Sequence, residues 1–158
     1  MDTGGLVTDS AAAFDEQLPD GGVLLGVDLG TRTIGLATCD AGWRFATAGK
    51  TLPRGKFTAD CGKLRELVQQ RSIKGLVIGL PRNMDGGEGP RAQASRAYAR
   101  NLAAALSLPV LLWDERWSTA SAEAAMIGQD MSRAKRAERI DSHAAAIILQ
   151  GAIDTLTN

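Results

Sequence analysis

Between Val23 and Leu52 the chain carries three short runs of strand character separated by only a few residues, and then its period changes. Val23–Gly30 (VLLGVDLG) is apolar, rich in leucine and valine, and ends in glycine, as a buried central strand does. Thr33–Asp40 (TIGLATCD) follows after the tight Gly30-Thr31-Arg32 segment, and Trp43–Leu52 follows after Asp40-Ala41-Gly42. Short turns between strand runs dictate an antiparallel meander. From Thr58 to Arg71 the apolar residues Cys61, Leu64 and Val68 recur at helical spacing, with Thr58 placed to cap. Gly75–Leu80 is a short apolar strand closed by Pro81. Pro90 then opens a long helix with Ala94, Tyr98, Leu102 and Ala105 on one face. Pro109 opens another strand, Pro109–Trp113, which stops at Asp114. Ser118 or Thr119 is placed to cap a helix through Met126, and a last helix carries Ile140, Ala144, Ile147 and Gly151 on one stripe. Strands alternating with helices after a meander predict an α/β fold: a mixed sheet whose last strands are parallel and covered by helices.

At 158 residues the chain has the size of one domain, and two large lobes do not fit. No apolar run reaches the roughly 20 residues that span a bilayer, so no membrane partner is expected. Two cysteines, Cys39 and Cys61, suit a reducing compartment, and a cytoplasmic location is expected. The first 22 residues hold five acids (Asp2, Asp9, Asp15, Glu16, Asp20) and no lysine or arginine. Without a sustained period they read as a flexible acidic extension, residues 1–22, ahead of a domain at residues 23–158. That domain keeps 18 basic residues against 13 acidic ones, a balance compatible with a polyanionic partner.

Asp28 interrupts the most apolar run near its C-terminal end, where a lone ionised carboxylate is costly unless a cation or hydrogen-bond donors offset it. A turn-stabilising role beside Gly30 and Thr31 is the plainer alternative. Asp114 and Glu115 end the strand Pro109–Trp113, and because strand side chains alternate, at most one of them shares the face of Asp28. Glu115 has the longer reach and is the choice; Asp114 takes its place if the strand runs one residue further. Asp141 lies between Ile140 and the run His143–Leu149 (HAAAIIL) in the last helix, where a helix-surface aspartate paired with Arg136 or Arg139 is the plainer alternative. Three carboxylates on separate elements, converging at one sheet edge, suit Mg2+ or Mn2+, and no His/Cys cluster of zinc spacing is present. Such a centre suits phosphodiester hydrolysis, with two ions roughly 4 Å apart activating water and stabilising the leaving oxygen. His143, the single histidine, lies two positions from Asp141 on a helix and off its face, and receives no catalytic role.

Four segments in this order resemble the YqgF family, also called RuvX, of Holliday-junction-resolvase-like proteins and proteins named as pre-16S rRNA nucleases. They are VDLGTRTIG around Asp28, Gly30, Arg32 and Gly35; GLPRNMDG from Gly79 to Gly86; DERWST from Asp114 to Thr119; and IDSHAAAIIL from Ile140 to Leu149. The resemblance implies an RNase H-like fold, with a five-stranded mixed sheet of three antiparallel strands followed by two parallel ones, flanked by helices. It implies a Mg- or Mn-dependent endonuclease with Asp28, Glu115 and Asp141 at the acidic positions. The substrate it implies is nucleic acid, either precursor rRNA at the 5′ end of 16S rRNA or branched DNA at a four-way junction. In RuvC-like resolvases the second acid comes earlier, at the end of the fourth strand, and the last helix supplies two. This chain has Gly79-Leu80-Pro81 at the first place and Ala144 three residues after Asp141, which leaves Asp85 as a reserve ligand. Arg32, Arg116, Arg82 and Arg91 are candidate phosphate contacts, which position substrate without reading bases. The basic stretch Ser132–Arg139 is placed to guide the backbone inwards.

Two other function classes fit parts of the chain. GVDLGTRTIG also looks like the first phosphate hairpin of the actin, Hsp70 and sugar-kinase type of ATP-binding protein, but the second lobe is missing. Asn83–Gly89 lacks the Lys-Ser/Thr ending of a P-loop. A non-catalytic nucleic-acid or ribosome-binding module of the same fold is the third reading, and it would tolerate loss of Asp28. A monomer is expected, with a dimer as the alternative, since no apolar stripe forces association.

Overall fold

The computed structural model describes residues 5–83, 85–117 and 133–158, and only the backbone at residues 117 and 133–141. In chain order the elements are β1 (Val7–Thr8), α1 (Ala11–Glu16), β2 (Leu24–Leu29), β3 (Thr33–Cys39), β4 (Ala46–Pro53), α2 (Phe57–Arg71), β5 (Gly75–Leu80), α3 (Pro90–Leu106), β6 (Val110–Asp114), a 3₁₀ turn (Glu115–Trp117) and α4 (Arg133–Leu156). The strands form one sheet in the order β1-β6-β5-β2-β3-β4. β2, β3 and β4 pair antiparallel, as their short connections require, while β5 pairs parallel to β2 and β6 parallel to β5 across the helical crossovers α2 and α3. The fold is RNase H-like, and the three antiparallel strands come first among the five long ones, as expected.

Alternation along the strands sorts the core into two layers. Leu25, Val27, Leu76, Ile78, Val110 and Leu112 pack with Leu64 of α2 and Leu102 of α3 on one face. Leu24, Val77 and Leu111 pack with Ile148 and Leu149 of α4 on the other. α2 starts at Phe57 after Lys56, not at a Thr58 cap. Among the described residues the buried stripe of α4 is Ser142, Ala145, Ile148, Leu149, Ala152 and Ile153, so that Ala145, Ile148 and Ala152 stand one position on from the expected Ala144, Ile147 and Gly151, while the side chain of Ile140 lies outside the described residues. The run from Ala144 to Leu149 is apolar almost throughout, so its period alone does not choose between adjacent stripes. The helix expected from Ser118 or Thr119 to Met126 lies outside the described residues.

The largest difference from expectation is at the N-terminus. Within the segment read as a flexible extension, β1 adds parallel to β6 as a sixth strand, with Val7 beside Val110 and Thr8 beside Leu111. Ser10 then caps α1, its hydroxyl accepting from the Ala13 amide at 3.2 Å. That short helix buries Phe14 completely in the α4-side core, against Leu24, Val77 and Leu111. At the opposite edge β4 is largely exposed, and its pairing with β3 is broken by a register shift between Gly35 and Ala37.

The β3–β4 turn is organised by one carboxylate. Asp40 accepts from the Gly42, Arg44 and Phe45 amides and from the Arg44 guanidinium. The Phe45 amide above all, with the Arg44 amide and guanidinium, holds its pKa down to about 2. A pKa depressed in the folded state contributes stability above the unfolded value near 3.9, and that stability is lost as pH falls through about 2. Asp40→Asn is therefore expected to flatten the decline of the unfolding temperature between pH 4 and pH 2, measured by circular dichroism; an unchanged acid slope would contradict this.

Candidate active site

Asp28 is the penultimate residue of β2 and half-buried. Leu24 and Gly26 face α4, since a Cβ on Gly26 would lie 2.9 Å from the Ala145 carbonyl and from Leu149, so alternation points Asp28 to that same face. Its neighbours across the sheet are both glycines. Gly35 of β3 is its partner, and because Val27 pairs with Ile78, the next position in that register sets Gly79 of β5 beside it. Side-chain space is thus open on each side of the carboxylate.

Glu115 fills one of these openings. It lies in the 3₁₀ turn directly after β6, and its side chain folds back over the Gly79 backbone. A Cβ on Gly79 would stand 2.6 Å from Glu115 Oε1, 3.0 Å from its Cγ and 2.7 Å from Ile148 Cδ1. Gly79 therefore acts as the seat for the Glu115 carboxylate beside Asp28. Both groups have interactions with their surroundings, so neither is an isolated charge.

Asp114 goes elsewhere. Leu112 packs on the α3 face, and Asp114, two residues on, shares that face, 4% exposed. There it grips Arg116, accepting from its backbone amide at 2.9 Å and from its guanidinium at 2.6 Å and 3.0 Å. Hydrogen bonding from Arg116 holds the Asp114 carboxyl below its ordinary range and lifts the Arg116 guanidinium above its own. Asp114 is a committed ion-pair partner, which leaves Glu115 facing Asp28. Asp85, the reserve ligand, is exposed in the loop before α3 and accepts from the Gly87 amide at 2.8 Å, the local role of a turn-forming aspartate.

Asp141 lies on α4, but its side chain is outside the described residues. The helix itself is well anchored there. Ser142 exchanges a 2.5 Å hydroxyl hydrogen bond with Thr51 of β4, and Thr51 pairs with Gly35, the partner of Asp28. The row Thr51–Gly35–Asp28–Gly79 thus runs under the stretch of α4 that includes position 141. Among the described residues no group of three Asp, Glu, His or Cys side chains gathers to hold a metal; Asp28 and Glu115 supply a pair.

The four expected arginines divide. Arg82 points into a nest of acids, with Asp9 at 3.5 Å, Glu88 at 3.7 Å and Asp114 at 3.9 Å, while its Nε is buried without a hydrogen-bond partner. Arg116 is held by Asp114. Arg32 is exposed in the β2–β3 turn, and Arg91 is exposed on the first turn of α3, with one nitrogen 3.3 Å from the Leu29 carbonyl. A further arginine, Arg54, escaped the sequence reading because it follows an edge strand in no motif. It donates to the Gly30 carbonyl at 2.8 Å and stacks over the Tyr98 ring.

The seat at Gly79 is testable apart from the acids themselves. Gly79→Ala displaces the ends of two flexible side chains, so the fold is expected to survive at a cost of about 1–3 kcal/mol, and a displacement of Glu115 by about 1 Å would lower cleavage about 10²-fold were Glu115 a catalytic group. Gly26→Ala, which meets the Ala145 carbonyl, is expected to lose stability instead. Cleavage rate and thermal unfolding measured on both variants separate these effects; equal rates for Gly79→Ala and wild type would remove the seat from the account.

A family model described as RuvX, Holliday junction resolvase, matches residues 22–155. A protein of Novosphingobium aromaticivorans named "Putative pre-16S rRNA nuclease" is 63% identical over 151 residues, covering 96% of this chain and 97% of its own length. One of Sphingopyxis alaskensis with the same name is 61% identical over 152 residues, covering 96% and 99%. Among solved structures, T. thermophilus RuvC in complex with Holliday junction substrate superposes with a TM-score of 0.50 at 12% identity, over 86% of this chain and 96% of that one, a likeness of fold.

Proposed function

Since the chain belongs to the RuvX family, we propose that it is a divalent-metal-dependent endonuclease whose substrate is the 5′ region of pre-16S rRNA. The observation that carries this reading is the convergence of Asp28 and Glu115 at the glycine seat, on the face that α4 covers and at the C-terminal rim of the central strands. Asp141, from the helix stretch lying over the Asp28 row, is the third carboxylate.

The donor set fits a hard cation. Carboxylate oxygens from a strand and a turn, with space cleared by Gly35 and Gly79, suit Mg2+ or Mn2+, and no soft ligand is present at these positions. One or two such ions, when bound, supply Lewis acidity toward the phosphodiester oxygens and make a water acidic enough to attack at neutral pH. The chain's own groups do the rest. Asp28 is fixed in a central strand, so its carboxylate is held with little reorganisation. Glu115 is packed by Ile148 against the sheet, which keeps it beside Asp28. α4 shields this face from bulk water, and Arg116, locked by Asp114, holds the 3₁₀ turn that carries Glu115.

The missing fourth-strand acid, replaced by the Gly79 seat, favours the rRNA reading over four-way junction resolution. The protein acts in the cytoplasm as a monomer, with β1 covering the β6 edge. No helix among the described residues is long and apolar enough to cross a membrane. The test is cleavage, with Mn2+, of a precursor-rRNA 5′ fragment beside a four-way DNA junction. The RNA is expected to be cut, and the activity to vanish in chelator. Junction cleavage alone would replace the substrate, and undiminished cleavage in chelator would remove the metal.

A further inference from the structure

Most arginines that shape this end of the molecule are neutralised. Arg82 meets Asp9, Glu88 and Asp114, Arg96 forms a paired 2.6 Å contact with Glu88, and Arg116 is held by Asp114. Arg54 and Arg91 differ from these three. Each is oriented by a neutral backbone carbonyl, Gly30 for Arg54 and Leu29 for Arg91, and among the described residues neither has a carboxylate within ion-pair distance. The nearest buried acid, Asp60, turns its oxygens to the Gly55 amide and the Tyr98 hydroxyl. Two positive charges are therefore held in place with no carboxylate of the described residues in an ion pair with either.

They flank one cleft. Leu29, Gly30 and Thr31 of the β2–β3 turn form one wall, and Pro90, Arg91, Ala94 and Ser95 of α3 with Arg54 form the other, around a volume of about 210 Å³. That is smaller than the roughly 300–1,000 Å³ of a site enclosing a whole small-molecule ligand, and suits a group the size of a phosphate. Arg54 keeps its Nε and second terminal nitrogen unused, and its stacking on Tyr98 fixes the plane of the fork. Planar guanidinium donors match phosphate oxygens, and the start of α3 adds a helix dipole of the same sign.

The geometry points to this cleft as a binding subsite for a backbone phosphate of a single nucleic-acid strand, with Arg54 and Arg91 as its donors. The inference rests on the nuclease reading only for where the strand goes next. Gly30 is two residues beyond Asp28, roughly 7 Å along the strand, but the cleft opens on the α3 side while Asp28 faces α4. A strand held here crosses the C-terminal rim of β2 and delivers a neighbouring phosphate to the carboxylates. The subsite then fixes the distance from a held nucleotide to the cut.

The test is a binding measurement that needs no turnover. Fluorescence anisotropy of a labelled single-stranded oligouridylate is measured in chelator with the full chain as wild type, Arg91→Ala, Arg54→Lys, the double variant and Asp28→Asn. Arg91→Ala is expected to weaken binding about 10-fold, Arg54→Lys somewhat less, and the double variant about 30- to 100-fold, with the salt slope reduced by about 0.7 for the one cationic single-strand contact that is lost, since lysine at position 54 keeps its charge. Asp28→Asn should bind at least as well as wild type. Unchanged affinity and slope in Arg91→Ala and in the double variant overturn the subsite. Arg54 also straps the β2–β3 turn, so if its variants unfold on heating at much lower temperature, exposed Arg91 alone decides. Inorganic phosphate should displace the oligomer no better than chloride at equal ionic strength; selective displacement would make the cleft a free-anion pocket and overturn its role on the strand. A wild type that binds through these arginines yet never cuts would remove the nuclease reading and leave the subsite standing.

Discussion

Asp28→Asn and Glu115→Gln are each expected to slow cleavage by at least about 10³-fold, roughly 4 kcal/mol in the barrier, with the fold intact. Both substitutions keep side-chain volume and remove charge. Neither residue contributes to the two hydrophobic layers, and both lie at the sheet rim, so unfolding temperatures should move by only a few degrees. Asp141→Asn belongs with them if it completes the set. Groups that serve one centre are strongly non-additive, so the Asp28/Glu115 double variant should be little slower than either single one. The measurement is single-turnover cleavage of the precursor-rRNA fragment in Mn2+, with circular dichroism on the same samples. A variant that cuts at the wild-type rate would remove that carboxylate from the catalytic centre.

Phe14→Ala is expected to carry the largest loss of stability, about 3–5 kcal/mol, because a fully buried ring is replaced by a cavity that its neighbours cannot close. The ring touches the strand side of Gly75, where a Cβ would come within 2.9 Å of its Cζ, and packs among Leu24, Val77 and Leu111. That loss is a large share of the 5–15 kcal/mol typical of a domain. Chemical denaturation with urea reads it directly. A shift below about 1 kcal/mol would mean that α1 is an appendage to the fold, not a part of its core.

The contrast between Phe14 and Asp28 shows what sequence reading reaches. Asp28 is legible because a carboxylate inside VLLGVDLG breaks the run's own logic, and Glu115 because alternation forces Asp114 and Glu115 apart. The meander and crossovers are legible because short turns and helical spacing leave few topologies. Phe14 stands four residues before Leu18 with Ser10 as its cap, a short helical signal, but glycines and acids around it gave the segment the composition of a loose tail. β1 has two residues, too few for any period. Gly79 as a seat and the Ser142–Thr51 bond are invisible for another reason: each depends on which residue lies opposite across the sheet or above it. Arg54 belongs with them, since it is set apart by the acids it lacks.

The two rims of the sheet differ in a way that bears on self-association. On one side β1 pairs with Val110 and Leu111 of β6, so another chain could add at those two residues only by displacing that strand. On the other, β4 is available but kinked by the irregularity opposite Gly35 and Ala37, with Lys50 on its exposed stretch. Growth by strand addition, the route by which open sheets seed fibrils, is thereby discouraged at both rims.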